Sequence, residues 1–286
     1  MTDALRDLRQ LRPHADLSAV AALLPAGHLV KPDDNDEDSA PVLWMSDGPA
    51  PLGLWEKLHR EHPGSGLWPL LLAPLSTADA GFRPWGTGEL QPRSAGEPDL
   101  YDPAALLRTG WEYSTTLYGD PDSDDEIDPE ESAELAESIA PFTDGWPGTA
   151  PAAEQPGDPD RAARALAREL LANNAQLRIG LVPAATGAEA LTACGWTGPV
   201  NHEDDIAKVS AVLLDWERRY GTRLVQVGFA DLELSVGAPP EEDDLALRIA
   251  AEHLAFCPDN IFQGAGTIAD YAPGLVNAEQ WSFWWD

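Results

Sequence analysis

Basic residues are scarce in this chain: 18 lysines and arginines stand against 49 acids, and the formal net charge is −31. Such a charge repels nucleic-acid phosphates and anionic membrane surfaces over about a Debye length. Neither nucleic acid nor a lipid surface is therefore expected as a partner. A basic protein is the partner class the charge favours, while the same acidity also serves plain solubility. Cysteine is nearly absent. Cys194 and Cys257 are the only two, too few for a disulfide framework and in keeping with a reducing cytoplasm. Long apolar runs are missing as well, since none reaches the roughly 20 residues that cross a bilayer. The opening MTDALRDLRQLRPHADL has neither the apolar core nor the small-residue cleavage site of a secretory signal. The expectation is a soluble cytoplasmic protein. No GxGxxG or GxxxxGK[ST] pattern occurs, so the loop Ser46 to Pro51, although it follows an expected strand, carries no phosphate-binding signature.

What is present is apolar and aromatic. Hydrophobic residues make up 43% of the chain and tryptophan occurs 11 times, enough for packed cores. Four aromatics, Trp281, Phe283, Trp284 and Trp285, crowd the last six residues. Each ring buries roughly 150–250 Å² when packed, so this terminus is expected to close a core as a last strand.

Apolar spacing predicts two short helices between Thr2 and Leu24, broken at Pro13. Val42 to Met45, Leu54 to His62 and Leu67 to Leu72 then read as strand, helix, strand, a unit whose strands are parallel when they share a sheet. Pro103 to Thr109 reads as a short helix and Trp111 to Leu117 as a strand. Between Arg108 and Arg161 there is no basic residue, and 15 acids lie from Glu112 to Asp160. Residues 119–160 therefore read as a disordered acidic linker between an N-terminal α/β domain, 1–118, and a C-terminal domain, 161–286. In the latter the periodicity gives helices at Pro159 to Ala172, at Gly187 to Cys194 with Gly195 as C-terminal stop, and from Asp204 or Asp205 to Tyr220 with Gly221 as stop. Leu224 to Val227 and Leu232 to Val236 form an expected antiparallel hairpin, followed by a helix from Glu241 to Phe256 and a short one from Thr267 to Tyr271. The fold class is α/β: two modest domains, the second a mixed sheet with an antiparallel hairpin, packed by helices and closed by the aromatic strand.

The run AVLLDWERRYGTRLVQVGFADLELSV, then AEHLAFCPDN, then QG and the terminal WSFWWD resembles the bacterial family called domain of unknown function 4253, over roughly Leu177 to Asp286. VLWMSDGPAPLGLWEKLHREHPGSGLWPLLL resembles the segment that often precedes this domain in longer members. The resemblance brings no catalytic residues to carry over to this sequence.

Candidate chemistry is thin. His253 and Cys257 stand four apart on an expected helix and share a face. A histidine beside a thiol can generate a nucleophile, with Asp259 orienting the imidazole; packing, with Asp259 as a turn or cap residue, is the plainer reading. The pair could also join Cys194 and His202 in a Cys2His2 zinc set, although the spacings are not the familiar close ones. Asp215 with Glu217, Asp231 with Glu233, and Glu252 are carboxylates of the kind glycosidases and nucleases use, but proximity is expected by chance among so many acids. Glu217 with Arg218 and Arg219 reads as a solvated helix face. The leading expectation is a non-catalytic protein-interaction module, immunity-like or sequestering a basic partner, with no cofactor. A hydrolase built on the His253/Cys257/Asp259 region is the alternative.

Overall fold

The computed structural model describes residues 3–33, 39–116, 129–154 and 157–286. In chain order the elements are α1 (Asp3–Leu11), α2 (Ser18–Leu23), β1 (Gly27–Val30), β2 (Leu43–Ser46), α3 (Leu54–Ser65), β3 (Leu67–Leu72), α4 (Pro103–Ser114), α5 (Pro129–Ile139), α6 (Pro159–Asn173), β4 (Arg178–Pro183), α7 (Gly187–Cys194), α8 (Ile206–Tyr220), β5 (Arg223–Val227), β6 (Asp231–Ser235), α9 (Asp243–Phe256), α10 (Ile268–Tyr271) and β7 (Gln280–Trp284). No helix among the described residues is long and apolar enough to cross a membrane.

Among the described residues the seven strands lie in one sheet, ordered β1-β2-β4-β3-β5-β6-β7. Only β3 and β5 run parallel; every other neighbouring pair is antiparallel. The expected β2-α3-β3 unit is present in split form. Because β4 is antiparallel to both β2 and β3, the latter two are parallel to each other with β4 between them. The hairpin β5-β6 and the aromatic strand β7 form as read, and Trp281 and Phe283 face inward on β7 while Ser282 faces out.

Interleaving corrects the division into two domains. Strand β4, from the second half of the chain, fills the gap between two strands of the first half, and β3 from the first half sits between β4 and β5. The two apolar clusters divide by sheet face instead of by sequence. Alternation along β3 sends Trp68, Leu70 and Leu72 to one face, with α7, α8 and α9, and Leu67 and Leu71 to the other, with α1, α2, α3 and α6. The result is three layers, helices on both sides of a mixed sheet.

The linker expectation also fails where the chain is described. Residues 129–139 form α5, which buries Ile139. The following strap is then fastened to α8 and α9. Arg248 donates to the Thr149 carbonyl at 3.0 Å, Arg219 to the Ala150 carbonyl at 3.0 Å, and the Ala150 amide to Glu252 at 2.6 Å. Composition counts acids but not the two arginines reaching in from distant helices, so a polar, proline-rich stretch passed for a spacer. The parts of the linker reading that fall on 119–128 and 155–156 lie outside the described residues.

Trp111 to Leu117 is not a strand where it is described. Asp102 caps α4 by accepting from the Ala104 amide, Pro103 fills the first turn, and the helix runs through Ser114 with Leu107 and Trp111 on its buried side. Once the cap sets the start, their spacing of four continues the helix, and the strand propensity of Trp and Tyr yields to packing. Strand β1 and helix α5 had no clear signal. The stops elsewhere are as read, with Gly195 and Gly221 ending α7 and α8 in the left-handed region; of the two candidate starts for α8 it is Asp205 that caps, and Thr186, which carried no reading, caps α7.

Candidate functional site

Helix α4 crosses α9 closely because position 110 has no side chain: a Cβ on Gly110 would lie 2.2 Å from the Ala255 carbonyl oxygen. Beside that crossing, with Gly110 and Ala255 in its lining, lies a cavity of about 560 Å³ between α4, α8, the end of α9 and the C-terminal residues. Its walls are Leu106, Val209, Val212, Phe256 and Trp285. Trp285, buried just past β7, holds its place by edge contacts with Trp196 and Phe256 at 5.8 and 5.6 Å. At the mouth stand Leu100, 75% exposed, and Tyr113, 69% exposed. Apolar concavity with a few convergent polar groups is the usual form of a ligand site.

The polar edge comes from the loop before α8 and its first turn. Asp205, the α8 cap, accepts from the Gly96 amide at 2.9 Å and also takes the Tyr101 hydroxyl, a bond that raises the phenol's pKa. Lys208 donates to Glu203 at 2.8 Å, and this bond raises the ammonium's pKa. His202 lies on the same edge with its Nε2 3.2 Å from Asp259. Asp259 is buried and also accepts from the Gln263 side chain at 2.7 Å and the Asp286 amide at 3.0 Å. It thus ties the C-terminus and His202 together.

The sequence-predicted site residues are placed otherwise than the chemistry they suggested. Asp259 pairs with His202, not with His253. The Cys257 thiol donates to the Trp284 carbonyl at 2.9 Å, and burial pushes it up to about 12. His253 is enclosed by Trp216, Trp281 and Phe283, with ring centroids 5.1, 4.6 and 4.8 Å away, and its Nδ1 meets the Tyr271 hydroxyl at 3.1 Å. Burial, helped by Arg219, drops its pKa to about 3, so it is neutral at neutral pH. A thiol held protonated and an imidazole walled in by rings are poor partners for attack. Cys194 is buried on α7, pointed at the Leu191 carbonyl at 3.6 Å, and its thiol is likewise raised to about 12 by burial. Among the described residues no three His, Cys, Asp or Glu side chains are placed to hold a metal ion, so Cys194, His202, His253 and Cys257 do not form the zinc set.

The C-terminal part of the chain carries the family signal. Residues 178–286 match the family described as Domain of unknown function (DUF4253). No curated protein and no solved structure matches the chain. The DUF4253 segment supplies β4 through β7 and the α8, α9 and terminal walls of the cavity, whereas α4 with Leu100, Tyr101 and Tyr113 lies outside it. Sequence reasoning found His202 and Asp259, marked Asp205 only as one of two helix starts, and missed Tyr101, Lys208 and Phe256. None of these had a local signal, because the cavity is assembled from segments about a hundred residues apart.

Proposed function

We propose that the chain is a non-catalytic binding protein whose cavity between α4, α8 and α9 receives a basic segment of a protein partner, as an immunity-like or sequestering protein would. The observation that carries this is the cavity of about 560 Å³ with Leu100 and Tyr113 exposed at its mouth, in a chain of net charge −31. Lysine and arginine have apolar stems and charged heads. Their stems suit walls of Leu106, Val209 and Phe256, the aromatic faces of Tyr113 and Trp285 favour cations, and the acids steer approach.

Titration calorimetry with a synthetic peptide of lysine and leucine tests this. Binding should weaken as salt rises, and Ala105→Trp, which fills the mouth from the exposed side of α4, should weaken it about tenfold. Equal affinity for wild type and A105W would remove the cavity from the reading. The hydrolase alternative retains one foothold, the His202–Asp259 pair, in which a buried carboxylate faces a histidine at a cavity edge. Under that alternative His202→Gln abolishes turnover of a hydrolysable substrate; under the binding reading it leaves peptide affinity nearly unchanged.

A further inference from the structure

A second concavity, of about 230 Å³, opens where the start of β3, the end of β4 and the start of β5 meet. Its character is opposite to the first. His59 and His62 reach it from α3, Asp160 and Arg164 from α6, Glu217 from α8 and Arg223 from β5, with Trp68 in its wall. In a chain with 49 acids and 18 lysines and arginines, this wall carries two guanidinium groups against two carboxyl groups. Ala185 and Thr186 complete it at the N-terminal end of α7, where the Ala185 amide donates to Glu189 at 3.0 Å and Thr186 caps the helix, and where the helix dipole favours negative charge.

The wall groups are under-committed to one another. Arg223 Nε is 3.7 Å and His59 Nε2 3.9 Å from the same Asp160 oxygen, both beyond hydrogen-bond length. His59 is only 6% exposed, stacked on Trp55 at 4.8 Å, and its Nδ1 has no hydrogen-bond partner. Glu217 Oε1 is buried and likewise unpartnered. Buried polar groups are nearly always satisfied, so two orphans in one wall call for an explanation.

We infer that this pocket binds a small oxyanion-bearing molecule, a phosphate, sulfate or carboxylate group held between Arg164 and Arg223 at the α7 N-terminus. Arginine's planar fork matches such groups in two-bond geometry. Glu217 can assist as a neutral donor. Burial raises its pKa to about 7, with the neighbouring Glu189 pushing the same way, while Arg223, Arg218 and the Ala188 amide oppose it. His59 is held neutral, at about 4, by burial, against the pull of Asp160 and with Arg164, His62 and Arg223 adding to the depression.

Equilibrium dialysis with sulfate at about pH 6 and about pH 8, at fixed ionic strength, tests the assignment, because sulfate remains a dianion throughout the neutral range and any pH dependence then comes from the protein. Wild type should take up sulfate saturably and more tightly at the lower pH. Arg164→Gln should weaken uptake about tenfold or more, Glu217→Gln should bind with little difference between the two pH values, and A105W should bind as wild type does. Absence of saturable uptake, or equal uptake by folded wild type and R164Q, overturns the inference. Loss of uptake in A105W would move the anion to the other cavity and overturn it too.

Discussion

Helices α8 and α9 hold two glutamates in very different states. Around Glu252 every oxygen is engaged: Arg219 reaches it with two nitrogens at 2.9 and 2.6 Å, the Trp216 indole at 2.7 Å and the Ala150 amide at 2.6 Å. Around Glu217 one carboxyl oxygen is buried with no partner. Both regions place charge away from water, which is costly unless hydrogen bonds replace the hydration. Where the replacement is complete the network fixes the structure, fastening the 147–153 strap to α8. Where it is incomplete the wall is set up for something that is not part of the chain.

The heaviest blow to the Glu252 region is removal of Trp281–Asp286. This deletes β7 and two of the rings packed on Trp216, whose indole donates to Glu252. Truncating one buried aromatic costs about 3–5 kcal/mol against a total of about 5–15 kcal/mol, so cooperative thermal unfolding should vanish. Retention of the wild-type transition would make the terminal tryptophans a surface patch.

Next in size is Glu252→Ala, which takes the acceptor away from Arg219 Nη2, the Trp216 indole and the Ala150 amide and should cost about 3 kcal/mol in urea unfolding. Asp215, 2.6 Å from Arg219, limits the damage. A cost below about 1 kcal/mol would erase the contrast between the regions.

The smallest effect has the opposite sign. Glu217 titrates near 7 in the folded chain against about 4.3 when unfolded, so the native state binds the extra proton between those values. Wild type therefore loses stability as pH rises through that window. Glu217→Gln removes the loss: the variant should gain about 1–2 kcal/mol over wild type at about pH 8 and almost nothing at about pH 4. A gain that is the same at both values would mean that Glu217 titrates alike in the folded and unfolded chain.

Local rules carried the sequence reading as far as local physics reaches. Pro103, Asp205, Gly195 and Gly221 mark helix ends because a helix end is satisfied by residues a few positions away. The β5-β6 hairpin and the inward Trp281 and Phe283 follow from alternation. Strand order does not, since nothing in the period of LWPLLL says that residues 178–183 will lie on one side of it and residues 223–227 on the other. The same limit hid both sites. His202 and Asp259 were each singled out but assigned to different partners. Periodicity alone gives α8 one buried stripe and leaves Glu217 on its solvated face, whereas α7 and the start of β5 press on it from a further side.

Strand β3 also bears on how the protein is made. A ribosome delivers β2 and β3 early, yet the strand that joins them, β4, begins roughly a hundred residues later, a delay of about 5–20 s at usual elongation rates. Until then LWPLLL has no neighbour on either flank and offers an open edge to other chains. Pro69 at its centre blunts that hazard, as prolines on unpaired strands do. The sheet can close only after most of the polypeptide has left the ribosome. By the same reasoning a gene fragment encoding residues 178–286 alone would yield β4 and β5 with a vacant slot between them, so the unit that folds is larger than the segment by which the family is recognised.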